Sequence, residues 1–271
     1  MIHNRTSSLA PFLAITQLHA RRTLVARVDI LSNIAFGVLL AYGLAFLWQA
    51  LYRAEFVPPT VPIDRMVTYA ILGSVVTTSL QTGIVYYANW RIRTGDIIFD
   101  ILRPINWQVS LLGDFFGTVI AQFVAVALPV VAISAVFLDF RPPASTVAAL
   151  VFGPSLILGA LVSYSIVFLI LLLAFRYTQV GGIESAMRGF RPLLTGALVP
   201  LWFLPGGVGT AMEQLPFPAI AFTPLSIYIG ETEGAAIWVA LARQAGWAVV
   251  LLATGAYFAR RGMHKLSIQG G

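Results

Sequence analysis

The sequence predicts an all-α integral membrane protein with six transmembrane helices, and three observations carry that prediction. Of the 271 residues, 58% are hydrophobic and only 10% charged, with a mean hydropathy of +0.85; a soluble domain is about 25% charged. Six segments reach the roughly 20 apolar residues needed to cross a hydrocarbon core about 30 Å thick. None of them alternates with the period of two that marks a transmembrane barrel strand.

The elements follow in order. Leu9 to Val28 reads as an amphipathic helix lying along the inner membrane surface, with Phe12, Ile15 and Leu18 on one side and Gln17, Arg21 and Arg22 elsewhere. The spans are placed at Ile30 to Leu51, Met66 to Trp90, Val109 to Leu138, Thr146 to Phe175, Gln179 to Leu204 and Ala235 to Ala259. The third and fourth are longer than a crossing requires, which implies tilt or extension beyond the bilayer. The first is longer than a signal-peptide core and lacks a small-residue cleavage site, so it counts as a true span. Residues 1–29 are thus expected to form a tail with an interfacial helix, 30–259 the membrane domain, and 260–271 a second tail.

Arginine placement sets the orientation. Arg5, Arg21, Arg22 and Arg27 precede the first span; Arg91, Arg93 and Arg103 follow the second; Arg176, Arg188 and Arg191 follow the fourth; Arg260, Arg261 and Lys265 follow the sixth. The alternate connections are neutral or acidic on balance: Arg53, Glu55, Asp64 and Arg65, then Asp139 and Arg141, then Glu213, Glu231 and Glu233. The positive-inside rule puts both termini in the cytoplasm. The net charge of +6 is therefore mostly a topology signal and not a nucleic-acid footprint.

Arg91 to Gln108, RIRTGDIIFDILRPINWQ, is a charged insertion between two apolar spans. Helical spacing segregates Ile97, Ile98, Ile101 and Leu102 from Asp96, Asp100 and Arg103. Thr94 is expected to cap the helix, Asp96 to sit in its first turn, and Pro104 to end it. Two readings stand at this point: an interfacial helix on lipid headgroups, or a handle gripped by a cytosolic partner.

Glu184, Arg188 and Arg191 fall at i, i+4 and i+7 of the fifth span, and Gly181 and Thr195 continue the stripe. A lipid-facing charge costs about 2.5 to 3.5 kcal/mol at mid-depth, so this face should meet protein or water, as the lining of a translocation path or a subunit seam. Snorkelling of both arginines, with Glu184 paired to Arg188, is the alternative. Asp114 and Arg243 raise the same question nearer to span ends. Between the last two spans, Pro205 to Gly234 is apolar yet broken by Pro205, Pro216, Pro218 and Pro224. Neither piece can cross a bilayer, which suits a re-entrant hairpin, the alternative being an apolar loop packed on the outer surface.

Several chemistries are missing. The single lysine, Lys265, follows His264, so no Gly-Lys-Ser/Thr phosphate loop exists. The three histidines lie in the tails, which excludes an intramembrane HExxH zinc site, and the absence of cysteine excludes thiolate metal sites and a cysteine nucleophile. Asp114 in LLGDFFG lacks the second intramembrane carboxylate of an aspartyl protease. A non-transporting scaffold or immunity-type protein and a secondary transporter remain as alternatives, although no inverted repeat is visible.

RTGDIIFDILRPINWQ after the second span, TGALVPLWFLPGGV leading into LPFPAIAFTPLSIYIGE, and the ending RRGMHKLSIQGG together resemble the six-helix permease subunits of type-two ABC exporters, in particular small bacterial permeases often encoded in pairs. The resemblance implies a permease half in the bacterial inner membrane, partnered by a second permease, identical or paralogous, and by cytosolic ATP-binding subunits, two copies in all. ATP and magnesium would then sit on the partner, with no cofactor on this chain. It further implies a coupling helix at Thr94 to Arg103, an N-terminal interfacial helix, and short re-entrant helices over about Pro205 to Ile229. It leaves drug, lipid, peptide and glycan substrates open.

Overall fold

The computed structural model describes residues 9–56, 61–102, 105–175 and 181–269, without the side chains of Ile101, Phe175 and 262–269. Every regular element among them is helical. α1 (Leu9–Val25) is separated by Ala26 from α2 (Arg27–Arg53), and α3 (Ile63–Ser79) and α4 (Ile84–Thr94) follow. α5 (Ile97–Ile101) is little more than one turn. α6 (Trp107–Gln122) runs through a π-helical turn, Phe123–Ala127, into α7 (Leu128–Phe137). The proline after the turn, Pro129, has no N–H to continue the α-helical ladder, which accounts for the widened turn before it. α8 (Thr146–Leu172), α9 (Gly181–Leu194), α10 (Val208–Glu213), α11 (Phe222–Ile229) and α12 (Ala235–Gln269) complete the chain.

Among the described residues four helices are long and apolar enough to cross a membrane: α2, the composite Trp107–Phe137, α8 and Ala235–Arg261 of α12. The second and fifth expected spans are interrupted instead. α3 stops at Ser79 and α4 starts only at Ile84. Ser74 and Thr78 bond back to the carbonyls of Ile71 and Ser74 (2.7 and 2.9 Å), a competition with the helix ladder that Ser and Thr favour, and Gly83 follows as a weak helix former. Among the described residues the fifth segment is α-helical only over Gly181–Leu194, with a 3-10 turn at Leu201–Phe203. Pro192 sits in the last turn of α9, Gly196 turns at φ +74, and Pro200 follows.

α1 lies parallel to α6, and two glycines set the spacing. A Cβ on Gly117 would fall 2.3 Å from the Thr16 carbonyl oxygen, and one on Gly113 3.1 Å from Ile15, so this G-x-x-x-G step admits the α1 backbone. Beside it, His19 Nδ1 and Asp114 Oδ1 are 2.6 Å apart. Asp114, for which the sequence offered no partner, therefore has one.

The Pro205 to Gly234 stretch folds as α10 and α11, and all eight residues of α11 are buried. Gly159 of α8 admits its backbone, with Ile220 O only 2.8 Å from where a Cβ would be. Gln244 of α12, 0% exposed, locks the junction: it accepts from Ser155 Oγ (2.9 Å) and donates to Ala219 O (2.7 Å) and Ser155 O (3.2 Å). The principal core joins Tyr69, Phe115, Tyr164, Phe168 and Leu225 from four of these helices.

Candidate functional site

Two places gather the residues the sequence singled out. The first is the elbow between α4 and α5. Gly95, at φ +83, is the left-handed cap that ends α4. Thr94 is the last residue of α4 and does not cap the next helix; its hydroxyl donates to Asp96 Oδ2 (2.9 Å). Arg91 then ties the elbow shut. Its Nε donates to Asp100 Oδ2 (2.6 Å), another nitrogen to the Asp96 carbonyl (3.0 Å), and a third to the Tyr87 hydroxyl (3.2 Å). Partial burial works against the Arg91 charge, but the Tyr87 hydroxyl and the Asp100 carboxylate outweigh it and hold its pKa above the ordinary arginine value.

The expected division into one apolar and one charged face is therefore altered. Asp96 and Asp100 serve the elbow's own geometry, and Ile97, 5% exposed, turns into the protein. Ile98, Phe99 and Leu102 are 59%, 64% and 76% exposed and make the apolar tip. Phe99 was missed by the sequence reading, although it precedes Leu102 by three residues and so shares its face. The helix spans only Ile97–Ile101, shorter than the Thr94 to Arg103 expected. The Ile101 side chain, Arg103 and Pro104 lie outside the described residues.

The second place is the seam between α9 and the α3–α4 break. Glu184, Arg188 and Arg191 do share one face, and together with Thr195 they line a cavity of about 50 Å³ closed on the far side by Thr77, Gln81 and Thr82. Arg188 pairs with Glu184 within α9. Arg191 reaches across, donating to Ser163 Oγ of α8 and to the Leu80 carbonyl (3.4 Å) at the end of α3. That carbonyl is one of those a helix end leaves without an intrahelical donor, so Arg191 answers the break. The opposite face of α9 carries exposed Ile183, Phe190 and Leu193, so Glu184 and Arg191 turn toward the cavity while Arg188, on the same face, stays exposed. Snorkelling of Arg191 does not describe this arrangement, whereas the Glu184–Arg188 pair matches the alternative as stated.

The broken segments carry the remaining predicted residues apart from this cavity. Pro205, Pro216, Pro218 and Pro224 belong to the α10–α11 region, where Arg243 of α12 lies 3.9 Å from Glu213. Among the described residues no group of His, Asp and Glu could hold a metal ion.

A family model described as ABC-2 family transporter protein matches residues 38–270, most of the chain. The chain belongs to the ABC-2 transporter family. The assignment makes this multi-pass membrane protein a permease subunit of type-two ABC architecture, a membrane transport component of a family that generally works with an ATP-binding partner. No curated protein and no solved structure matches it. In this ABC-2 permease the match covers both the elbow and the cavity, but it starts after α1, whose contact with α6 rests on the structure alone.

Proposed function

We propose that this permease moves a hydrophobic or amphipathic substrate out of the cytoplasm or inner leaflet of a bacterial inner membrane, powered by a separate ATPase. Six passes, four continuous and two interrupted, place both termini in the cytoplasm. Two permeases, identical or paralogous, form the pathway, and each docks on one ATP-binding subunit, which carries ATP and magnesium. The observation that supports this reading best is the α4–α5 elbow: an exposed apolar tip of Ile98, Phe99 and Leu102 on a base that Arg91 fastens internally. A rigid base with an apolar tip transmits a push. Large apolar side chains seated in a partner's groove dominate interface energy, and pre-formed elements lose little entropy on docking.

Phe99→Asp is expected to leave membrane insertion intact and to abolish co-purification with the ATPase or transport-coupled hydrolysis. Full coupling in that variant would remove the docking assignment. At the cavity, Glu184→Ala is expected to impair transport beyond any change in expression, because it strands Arg188.

A further inference from the structure

We propose that the cavity between α9 and the α3–α4 break binds the anionic headgroup of an amphipathic ligand, a phosphate or carboxylate carried on an apolar tail. The inference rests on reading Glu184, Arg188 and Arg191 as the lining of the transport path, and it adds the chemistry that path selects.

Three observations converge. The first is charge. Glu184 is taken by Arg188, which leaves Arg191 with no carboxylate partner among the described residues; its acceptors, a serine hydroxyl and a peptide carbonyl, are neutral. The Leu80 carbonyl offers the partial negative charge of a helix end and not a full counter-ion. A guanidinium presents five N–H donors, and no acceptor is seen for most of those of Arg191.

The second is orphaned hydroxyls. Thr77 Oγ1 and Thr82 Oγ1 are buried, line the same cavity and have no hydrogen-bond partner. Buried polar groups are nearly always paired, so two hydroxyls without a partner among the described residues, on the cavity that Arg191 also lines, add donors for an acceptor with several lone pairs. The third is the remaining wall: Val76, Leu80, Val167, Ile170, Met187 and Ile220. An inorganic ion has no use for that surface; an acyl-type tail does.

At about 50 Å³ the cavity has room for water and not for a headgroup, so binding requires it to widen. α9 is the wall that can give. It has no buried residue, and a Cβ on Gly181, Gly182 or Gly189 would touch nothing. Discontinuous helices bordering a wet cavity are where transporters commonly place their ligand sites, because only there is irregular backbone satisfied at membrane depth.

The test uses the full-length chain with its ATPase in phosphatidylcholine nanodiscs, with saturation binding of dodecyl phosphate and of dodecyltrimethylammonium corrected by empty discs. The phosphate is expected to bind at least about tenfold more tightly, and Arg191→Gln to lose about tenfold, the worth of a charge-assisted pair. Glu184→Gln frees Arg188 and should tighten phosphate binding. Thr82→Val separates this inference from a purely capping role for Arg191: with unchanged thermal unfolding it should still weaken phosphate binding severalfold, whereas capping alone predicts no change. Equal affinity for the cationic amphiphile, or undiminished phosphate binding in both Arg191→Gln and Thr82→Val, overturns the proposal. Displacement of dodecyl phosphate when the ATPase is trapped with nucleotide marks a transported ligand, and retention marks a resident lipid. If Phe99→Asp leaves coupling intact, the exporter reading fails while an anion preference stands; if the preference fails while Phe99→Asp uncouples, only the present proposal falls.

Discussion

Around α10 and α11 the chain is as irregular as at the α3–α4 break, yet the two regions treat their polar groups in opposite ways. At the first, one buried glutamine satisfies Ser155 and the Ala219 carbonyl, the Tyr228 carbonyl accepts from Ala144 (2.9 Å), and Thr195 O accepts from Phe222 (3.0 Å). At the second, Thr77, Ser79 and Thr82 carry buried hydroxyl oxygens with no partner, and the freed Leu80 carbonyl is met by a single side chain from a helix with no buried residue. Irregular backbone in an apolar surround has to be answered by something. Where the protein supplies most answers, the Trp202 indole N–H beside Phe222 being the exception among the described residues, the region is held; where more answers are missing there is room for a ligand and for movement.

Substitutions at the two regions should therefore diverge in size. Gln244→Leu strands the Ser155 hydroxyl and the Ala219 carbonyl together, each worth about 1 to 3 kcal/mol, so a loss of about 3 kcal/mol is expected in detergent unfolding followed by circular dichroism. A midpoint equal to that of the parent would show that water replaces the glutamine and would erase the contrast. Gly159→Ala pushes a methyl group against two backbone carbonyls that cannot rotate away, and about 1 to 3 kcal/mol should be lost by the same measurement. Thr82→Val removes a hydroxyl that bonds to nothing at nearly constant shape. Its stability should stay within about 0.5 kcal/mol of the parent, and a large loss would reveal a partner for that hydroxyl.

Much of this architecture was legible because lipid enforces simple rules. The four continuous helices follow from unbroken apolar runs, and the charged stripe of α9 follows from helical spacing alone. What escaped the reading depended on competition or on distance. The second span looked continuous because TTSLQTG is short and flanked by strongly apolar residues, although its Ser, Thr and Gly are breaker signals in themselves. A short helix does lie within the expected Thr94 to Arg103 stretch, but the internal use of Asp96 and Asp100 depends on Arg91 folding back, which periodicity does not encode. Phe99 was passed over in favour of Ile97 because a helix so short gives too few repeats to fix which face is buried. Gln244 had no pattern to announce it: its three bonds reach residues 25 and 89 positions away. The α1–α6 contact did leave a trace in Gly113 and Gly117, the spacing of small residues that lets two helices approach closely.

That contact also fixes an order of events during synthesis. Thr16 and Gly117 are about 100 residues apart, which a ribosome making roughly 5 to 20 residues per second covers in about 5 to 20 s. α1 leaves the ribosome ahead of α6 and must wait that long for the groove it will fill, and His19 waits equally for Asp114. The insertion of α2 and the α3–α4 segment is thus decided before the N-terminal helix has anywhere to bind. α1 can dock once α6 has been made, so this contact is available before the helices from Thr146 onward join the bundle.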